Sequence, residues 1–224
     1  MARLVGVTDT TDAAVAAQVQ YIRSTSETSE ALDAARADAE EFGLTIPDEV
    51  TGQLVTTLAA AGAASGSSGA VAITPAAGVV GLYMLEGLGE RQNVTCIDSE
   101  AERQQHAKSL FRTAGYSPSR ARFLPSRPLD VLSRLANDAY HLVYLDVSPL
   151  DMPAALKAAV GLLTVGGTLV MADSLLDGTV ADTTRTDPDT RGAREADAEA
   201  RALENCITTR LPLGAGVTLV TRTA

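Results

Sequence analysis

Short apolar runs recur along the second half of the chain, each followed by a segment with apolar positions at helical spacing. The sharpest case is the stretch His141 to Asp177. Leu142-Val143-Tyr144-Leu145 is an apolar run that stops at Asp146, and Thr168-Leu169-Val170-Met171 is a second that stops at Asp173. Between them Met152 to Thr164 has helical spacing, and Gly166-Gly167 is expected to break the chain before the second run. Continuous apolar runs joined by a helix predict parallel strands covered on both faces. A right-handed crossover makes both run the same way, so Asp146 and Asp173 both fall at carboxyl ends of neighbouring strands, where open α/β sheets bind ligands.

The same alternation extends backwards and forwards. Strands are predicted at Ala70–Thr74, Val94–Ile97 and Arg122–Leu124, with helices at Gly78–Leu88, Glu100–Ala114 and Pro128–Ala136. Val180 to Arg191 is polar and is expected to be a loop, followed by a helix from Ala193 to about Asn205. Ile207–Leu213 and Val217–Arg222, separated by Gly214-Ala215-Gly216, predict an antiparallel hairpin. Before the alternation lie three predicted helices: Thr11–Ser24, with Val15, Val19 and Ile22 on one side, then Ser29–Phe42, and one from Asp48, its cap, to about Ala61. Gly62 to Gly69 reads as a small-residue surface turn. The expectation is one domain, with N-terminal helices over 1–62, a lid or dimer-forming segment, and an α/β core over 70–224.

The chain's 224 residues are enough for one α/β core, which is built from Ala, Val and Leu because aromatic residues make up only 4%. A formal charge of −10 argues against a nucleic-acid backbone or an anionic membrane surface as partner. No apolar run reaches membrane-spanning length. Met1 to Thr11 lacks a continuous apolar core, so no signal peptide is expected. Cys96 and Cys206, far apart and in predicted strands, read as reduced thiols of a cytoplasmic protein, with a disulfide left open.

Candidate chemistry collects at the ends of the strands. Ala76, Ala77 and Gly78 let a ligand approach the backbone at a helix start, although only Gly78 and Gly81 remain where a nucleotide loop has more glycines. Asp98 ends the second strand 20 residues after Gly78, where a carboxylate accepts ribose hydroxyls or caps the helix that follows. His106 reads as a surface residue, and His141 as either core or site. There is no CxxC or HExxH, which argues against structural zinc.

Four stretches, VTCIDSEAERQQHAKSLFRTAG, LVYLDVSP, LLTVGGTLVMADSLLDG and RLPLGAGVTLVTR, resemble in order and spacing the class I S-adenosylmethionine-dependent O-methyltransferases. The likeness is to the small bacterial members similar to catechol and caffeoyl-CoA O-methyltransferases, and it covers about Tyr21 to Arg222. It implies a Rossmann-like, three-layer α/β fold with a seven-stranded, mostly parallel sheet closed by an antiparallel C-terminal hairpin. It further implies a homodimer and a small-molecule hydroxyl acceptor. The resemblance assigns the methionine part of S-adenosylmethionine to Thr74, Pro75, Ala76 and Gly78, the ribose to Asp98, and the adenine side to Ser99, Ser126 and Arg127. Asp146 would lie near the sulfonium. Asp146, Asp173 and Ser174 fall at the family's positions for Mg²⁺ or another divalent ion.

The chain departs from the family at several of these positions. An acidic residue is replaced by Ala72, glycines by Thr74 and Ala76, and Pro75 and Pro128 each remove an N–H donor. Ser174 stands where the third metal ligand is usually Asn, and Pro149 where many catechol-type relatives carry a lysine base. Three functions follow: an O-methyltransferase in which Asp146 is the catalytic carboxylate and Gly178–Arg191 shapes the substrate pocket, a non-catalytic protein on the same fold, or a nicotinamide-dependent oxidoreductase suggested by the Gly78-to-Asp98 spacing.

Overall fold

A computed structural model describes residues 7–224, with side chains from residue 13 onward, so the reading of Met1 to Thr11 lies outside the described side chains. Helices α1 (Val7–Thr25), α2 (Glu30–Glu41) and α3 (Glu49–Ala61) precede the alternation. Then follow β1 (Gly69–Ile73), α4 (Ala77–Gly87), β2 (Asn93–Asp98), α5 (Ala101–Thr113), β3 (Ala121–Pro125), α6 (Pro128–Leu132) and β4 (Tyr140–Leu145). The chain closes with α7 (Met152–Val160), β5 (Leu163–Met171), α8 (Pro188–Ala202), β6 (Cys206–Leu211) and β7 (Val217–Arg222). Among the described residues seven strands form one sheet in the order β3-β2-β1-β4-β5-β7-β6, with β7 antiparallel to both β5 and β6. The closing hairpin and the parallel core are as the apolar pattern predicts.

The two-residue period of the strands sorts the core into two layers. Ala70, Ala72, Leu142 and Tyr144 face one cluster, packed under α2, α3, α4 and α5. Val71, Ile73, Val143 and Leu145 face the other, under α6, α7 and α8. β1 and β4 are buried throughout, as two-sided cover demands, whereas the edge strands β3 and β6 expose part of their length. Helix α4 is apolar almost all round because it lies between the sheet and α2–α3.

Several boundaries differ from the sequence reading. Gly166-Gly167 does not separate helix from strand. α7 stops at Val160 and β5 starts at Leu163, so the pair lies inside the strand, where the register to β4 shifts between Tyr140 and Leu142. Gly166 has φ +80 there, which is why an isolated glycine pair reads as a breaker from sequence. The expected loop Val180–Arg191 is shorter than the sequence suggests, covering residues 182–187. A 3-10 segment spans Leu176–Ala181, and α8 begins at Pro188, capped by Asp187, whose carboxylate accepts the Thr190 N–H at 2.9 Å.

Helices α2 and α3 pack into the main core: Ala31, Leu32, Ala35, Val55 and Ala59 belong to its cluster. α1 is the exception. Val15 stays 48% exposed while Val19 and Ile22 are half-buried, so the apolar side predicted for this helix is only partly covered. His141, in β4, ties this layer to the sheet. Its Nε2–H donates to the Ala59 carbonyl (3.0 Å) and its Nδ1 accepts from the Ser67 hydroxyl (2.6 Å). Burial holds its pKa below the usual histidine value, against the opposing pull of the Ala59 contact. His141 is therefore a satisfied core residue. His106 is half-exposed, set edge-on against Phe42 and 3.4 Å from Asp38, as a surface histidine.

Both cysteines are free thiols. Burial pushes the Cys96 thiol up to about 12, while Cys206 lies on the edge strand β6. Titration with a thiol reagent under native conditions is expected to modify Cys206 first and Cys96 only on unfolding. Equal rates for the two thiols would contradict this packing.

Candidate functional site

Asp98, Asp146 and the β1–α4 loop meet at the carboxyl ends of β2, β4 and β1, which are adjacent in the sheet. The Asp146 N–H donates to the Ile73 carbonyl at 2.8 Å, carrying β4 one residue further beside β1. Thr74 is 2% exposed and bridges loop and strand. Its hydroxyl donates to Asp146 Oδ2 (2.7 Å) and accepts from the Ala76 N–H (3.0 Å). A residue where the family has glycine thus becomes the bond that orients the carboxylate. Pro75 has no N–H and that of Ala76 is spent on Thr74, so Ala77 and Gly78, opening α4, are the loop's remaining amide donors.

Burial raises the pKa of Asp146, the Thr74 hydroxyl opposes this, and the negative charge of Asp173 adds to it. Asp173 follows β5 with φ +49, a conformation that aspartate tolerates better than most residues. Its Oδ1 accepts the Ala215 N–H from the β6–β7 turn at 3.1 Å.

Asp98 is engaged by two neighbours within the chain, one of which the sequence reading did not name. Its Oδ1 accepts the Glu100 N–H at 3.3 Å, a weak turn contact ahead of α5. Its two oxygens also receive a bidentate pair from Arg103, with Nε 2.6 Å from Oδ2 and Nη2 2.7 Å from Oδ1. That contact raises the arginine's pKa further. Arg103 was missed from sequence; its five-residue spacing from Asp98 in the first turns of α5 is the one signal that could have found it. The Ser126 N–H donates to the Asp98 carbonyl at 3.1 Å, placing Ser126 beside Asp98. Ser99 and Arg127 are exposed at the same edge.

Two cavities open here. One of about 400 Å³ is bounded by Arg127, Pro128, Asp130, Asp146, Ser148 and Asp151. The other, about 230 Å³, includes Arg23, Asp48, Tyr144, Asp146, Asp173 and Val217 in its wall. Among the described residues Asp146 is the only one shared by both walls. None of Gly178–Arg191, the segment expected to shape the substrate pocket, lines the second cavity. The wall comes instead from α1, the α2–α3 connection and the β6–β7 turn, contributions that no local pattern reveals.

The ligand set Asp146, Asp173 and Ser174 is not assembled as the resemblance implies. Ser174 is 4% exposed and its hydroxyl donates to Thr218 Oγ1 (2.9 Å) and the Gly216 carbonyl (3.3 Å), towards β7. It is absent from the wall that holds both aspartates. Among the described residues no group of three or more His, Cys, Asp or Glu side chains is arranged to hold a metal. Ser174 sits in the expected place along the chain but offers its oxygen to the hairpin, so the side chains present do not fit a three-residue metal centre.

The sheet order also separates this chain from the nicotinamide-dependent oxidoreductases. Their doubly wound sheet runs 3-2-1-4-5-6, whereas here β7 inserts antiparallel between β5 and β6, and the loop lacks G-x-G-x-x-G. Comparison with known proteins agrees. Residues 63–223 match the family model described as O-methyltransferase. A relative from Mycobacteroides abscessus assigned to the O-methyltransferases is 35% identical over 93% of this chain and 95% of its own. A crystal structure of a Corynebacterium glutamicum protein is 59% identical, with TM-score 0.92 over 94% of this chain and 98% of that one. The O-methyltransferase TomG of Streptomyces achromogenes, solved in complex with SAM, shares the fold at 21% identity and TM-score 0.81, over 93% of this chain and 96% of that one. The chain belongs to the O-methyltransferase family and has the class I S-adenosylmethionine-dependent methyltransferase fold.

Proposed function

We propose that this chain transfers a methyl group from S-adenosylmethionine to a hydroxyl of a small molecule, with Asp146 as the catalytic carboxylate. The position of Asp146 between the two cavities carries this reading: one cavity lies beside Arg127 and Pro128, the other beside Asp173 and Tyr144. Thr74, Pro75, Ala76 and Gly78 face the methionine part of the cofactor, Asp98 the ribose, and Ser99, Ser126 and Arg127 the adenine. S-adenosylmethionine supplies a methyl group already activated as part of a sulfonium cation. The chain's own task is to position an acceptor oxygen in line with it and to take the hydroxyl proton. Thr74 engages Oδ2 of Asp146, which leaves Oδ1 to accept that proton. Proton removal rests on this carboxylate, since Ser174 is turned to the hairpin and Pro149 stands at the family's lysine position.

Isothermal titration with S-adenosylmethionine and its demethylated product tests the cofactor site. Asp98→Ala is expected to weaken binding at least about tenfold, because bonds to a charged group contribute about 1.5–3 kcal/mol each. Unchanged affinity in a variant that still melts cooperatively would remove Asp98 from the site. The reading also includes one domain, since residues of α2 and α3 share a core cluster with β1 and β4. It includes a homodimer through the N-terminal helices, supported by the exposed Val15 and Tyr21 of α1 and checked by light scattering. A cytoplasmic location fits the two free thiols. No helix among the described residues is long and apolar enough to cross a membrane.

A further inference from the structure

The cavity on the Tyr144 side of Asp146 has a charge pattern that constrains what enters it. Three carboxylates, Asp48, Asp146 and Asp173, line it against one guanidinium, Arg23. That guanidinium is already shared, 3.0 Å from Glu49 and 3.8 Å from Asp48. Asp48 also caps α3, its Oδ1 accepting the Thr51 N–H at 2.8 Å. The fourth polar group is Tyr144. It is 3% exposed, it lines this cavity, and its hydroxyl has no hydrogen-bond partner among the described residues. A hydroxyl that reaches the cavity wall without a bond inside the protein is open to a ligand that completes it. Ile46 and Val217 add apolar wall. The volume, about 230 Å³, lies below the ~300–1,000 Å³ typical of larger ligand sites and suits a single ring with a short substituent.

We infer that the methyl acceptor is a small hydroxylated organic cation, selected by Asp48 and hydrogen-bonded by Tyr144, and that carboxylates and other anions are excluded from this cavity. This rests on the methyltransferase reading, which it deepens by naming the acceptor's charge class. An anion entering here meets three like charges in a partly desolvated site, whereas an ammonium meets three opposite ones.

Tyramine, 4-ethylphenol and 4-hydroxyphenylacetate carry the same phenol with a positive, neutral and negative substituent. Their affinities are measured by isothermal titration, with and without saturating S-adenosylhomocysteine. Tyramine is expected to bind roughly tenfold or more tighter than 4-hydroxyphenylacetate, with 4-ethylphenol between them. Asp48→Asn keeps the helix cap, because Asn caps as well as Asp. It should cut tyramine affinity about threefold or more and leave 4-ethylphenol unchanged. Tyr144→Phe should weaken all three. Equal or tighter binding of the anion overturns the inference, as does an Asp48→Asn variant with unaltered selectivity, or no binding of any probe to protein that binds S-adenosylhomocysteine. Charge-selective binding of tyramine to a protein that ignores S-adenosylhomocysteine would instead sink the methyltransferase reading and leave the cavity assignment standing.

Discussion

Asp146→Ala is expected to lower kcat for methyl transfer by about 10²–10⁴-fold, the range for loss of a positioned general base. Cofactor affinity should change far less, because the proposed cofactor contacts are spread over Asp98, the Thr74–Gly78 loop and Arg127 as well. Steady-state kinetics at saturating cofactor separate the two effects, and a kcat within threefold of the parent would end the assignment of Asp146 as base. The same residue links function to stability. Its folded-state pKa is raised, mainly by burial. Its contribution to stability is therefore fully present below the ordinary carboxylate pKa and is lost as the pH rises through the raised value. At neutral pH the ionised group works against the fold. Asp146→Asn keeps an acceptor for the Thr74 hydroxyl and removes the charge. It should melt at a higher temperature than the parent at pH 7, with the gap closing as the pH falls below the ordinary carboxylate range. A variant both slower and more stable is the signature of a carboxylate held for chemistry.

Gly69→Ala is expected to destabilise the protein by about 3–5 kcal/mol, from backbone strain and steric overlap together. Gly69 opens β1 with φ +120, and a Cβ there would stand 2.1 Å from the Asn93 carbonyl oxygen. That oxygen is backbone of β2, paired in register with Gly69, so it cannot move without unzipping the centre of the sheet. Gly43→Ala is the matched control. Gly43 has φ +64 with nothing within 4 Å of the new methyl, so strain alone remains, about 1–2 kcal/mol. Urea denaturation of the two variants measures the difference, and equal costs would mean that β1 and β2 do not approach as closely as the structure has them.

The element order was legible because it rests on local signals. Apolar runs such as Leu142–Leu145 and Thr168–Met171 need only the period of a strand and the turn residues around them. The boundaries that slipped, at Gly166-Gly167 and Pro188, lie where a bulge or a capped helix start looks like loop composition. The candidate site was half legible. Asp98, Asp146 and the Thr74–Gly78 loop were placed correctly at strand ends, since that position follows from topology.

Sequence alone thus determined the succession of strands and helices, the closing hairpin and the family, because each is carried by neighbouring residues or by motifs in order. Tertiary structure alone decided what the side chains at those positions do. It placed Arg103 on Asp98, Thr74 on Asp146 and the Ser174 hydroxyl on Thr218, and it built one cavity from Arg23, Asp48, Tyr144 and Asp173. Those residues are separated by up to 150 positions, and their meeting depends on helix packing and rotamer choice. Both are settled by the whole core at once, and no local pattern records them.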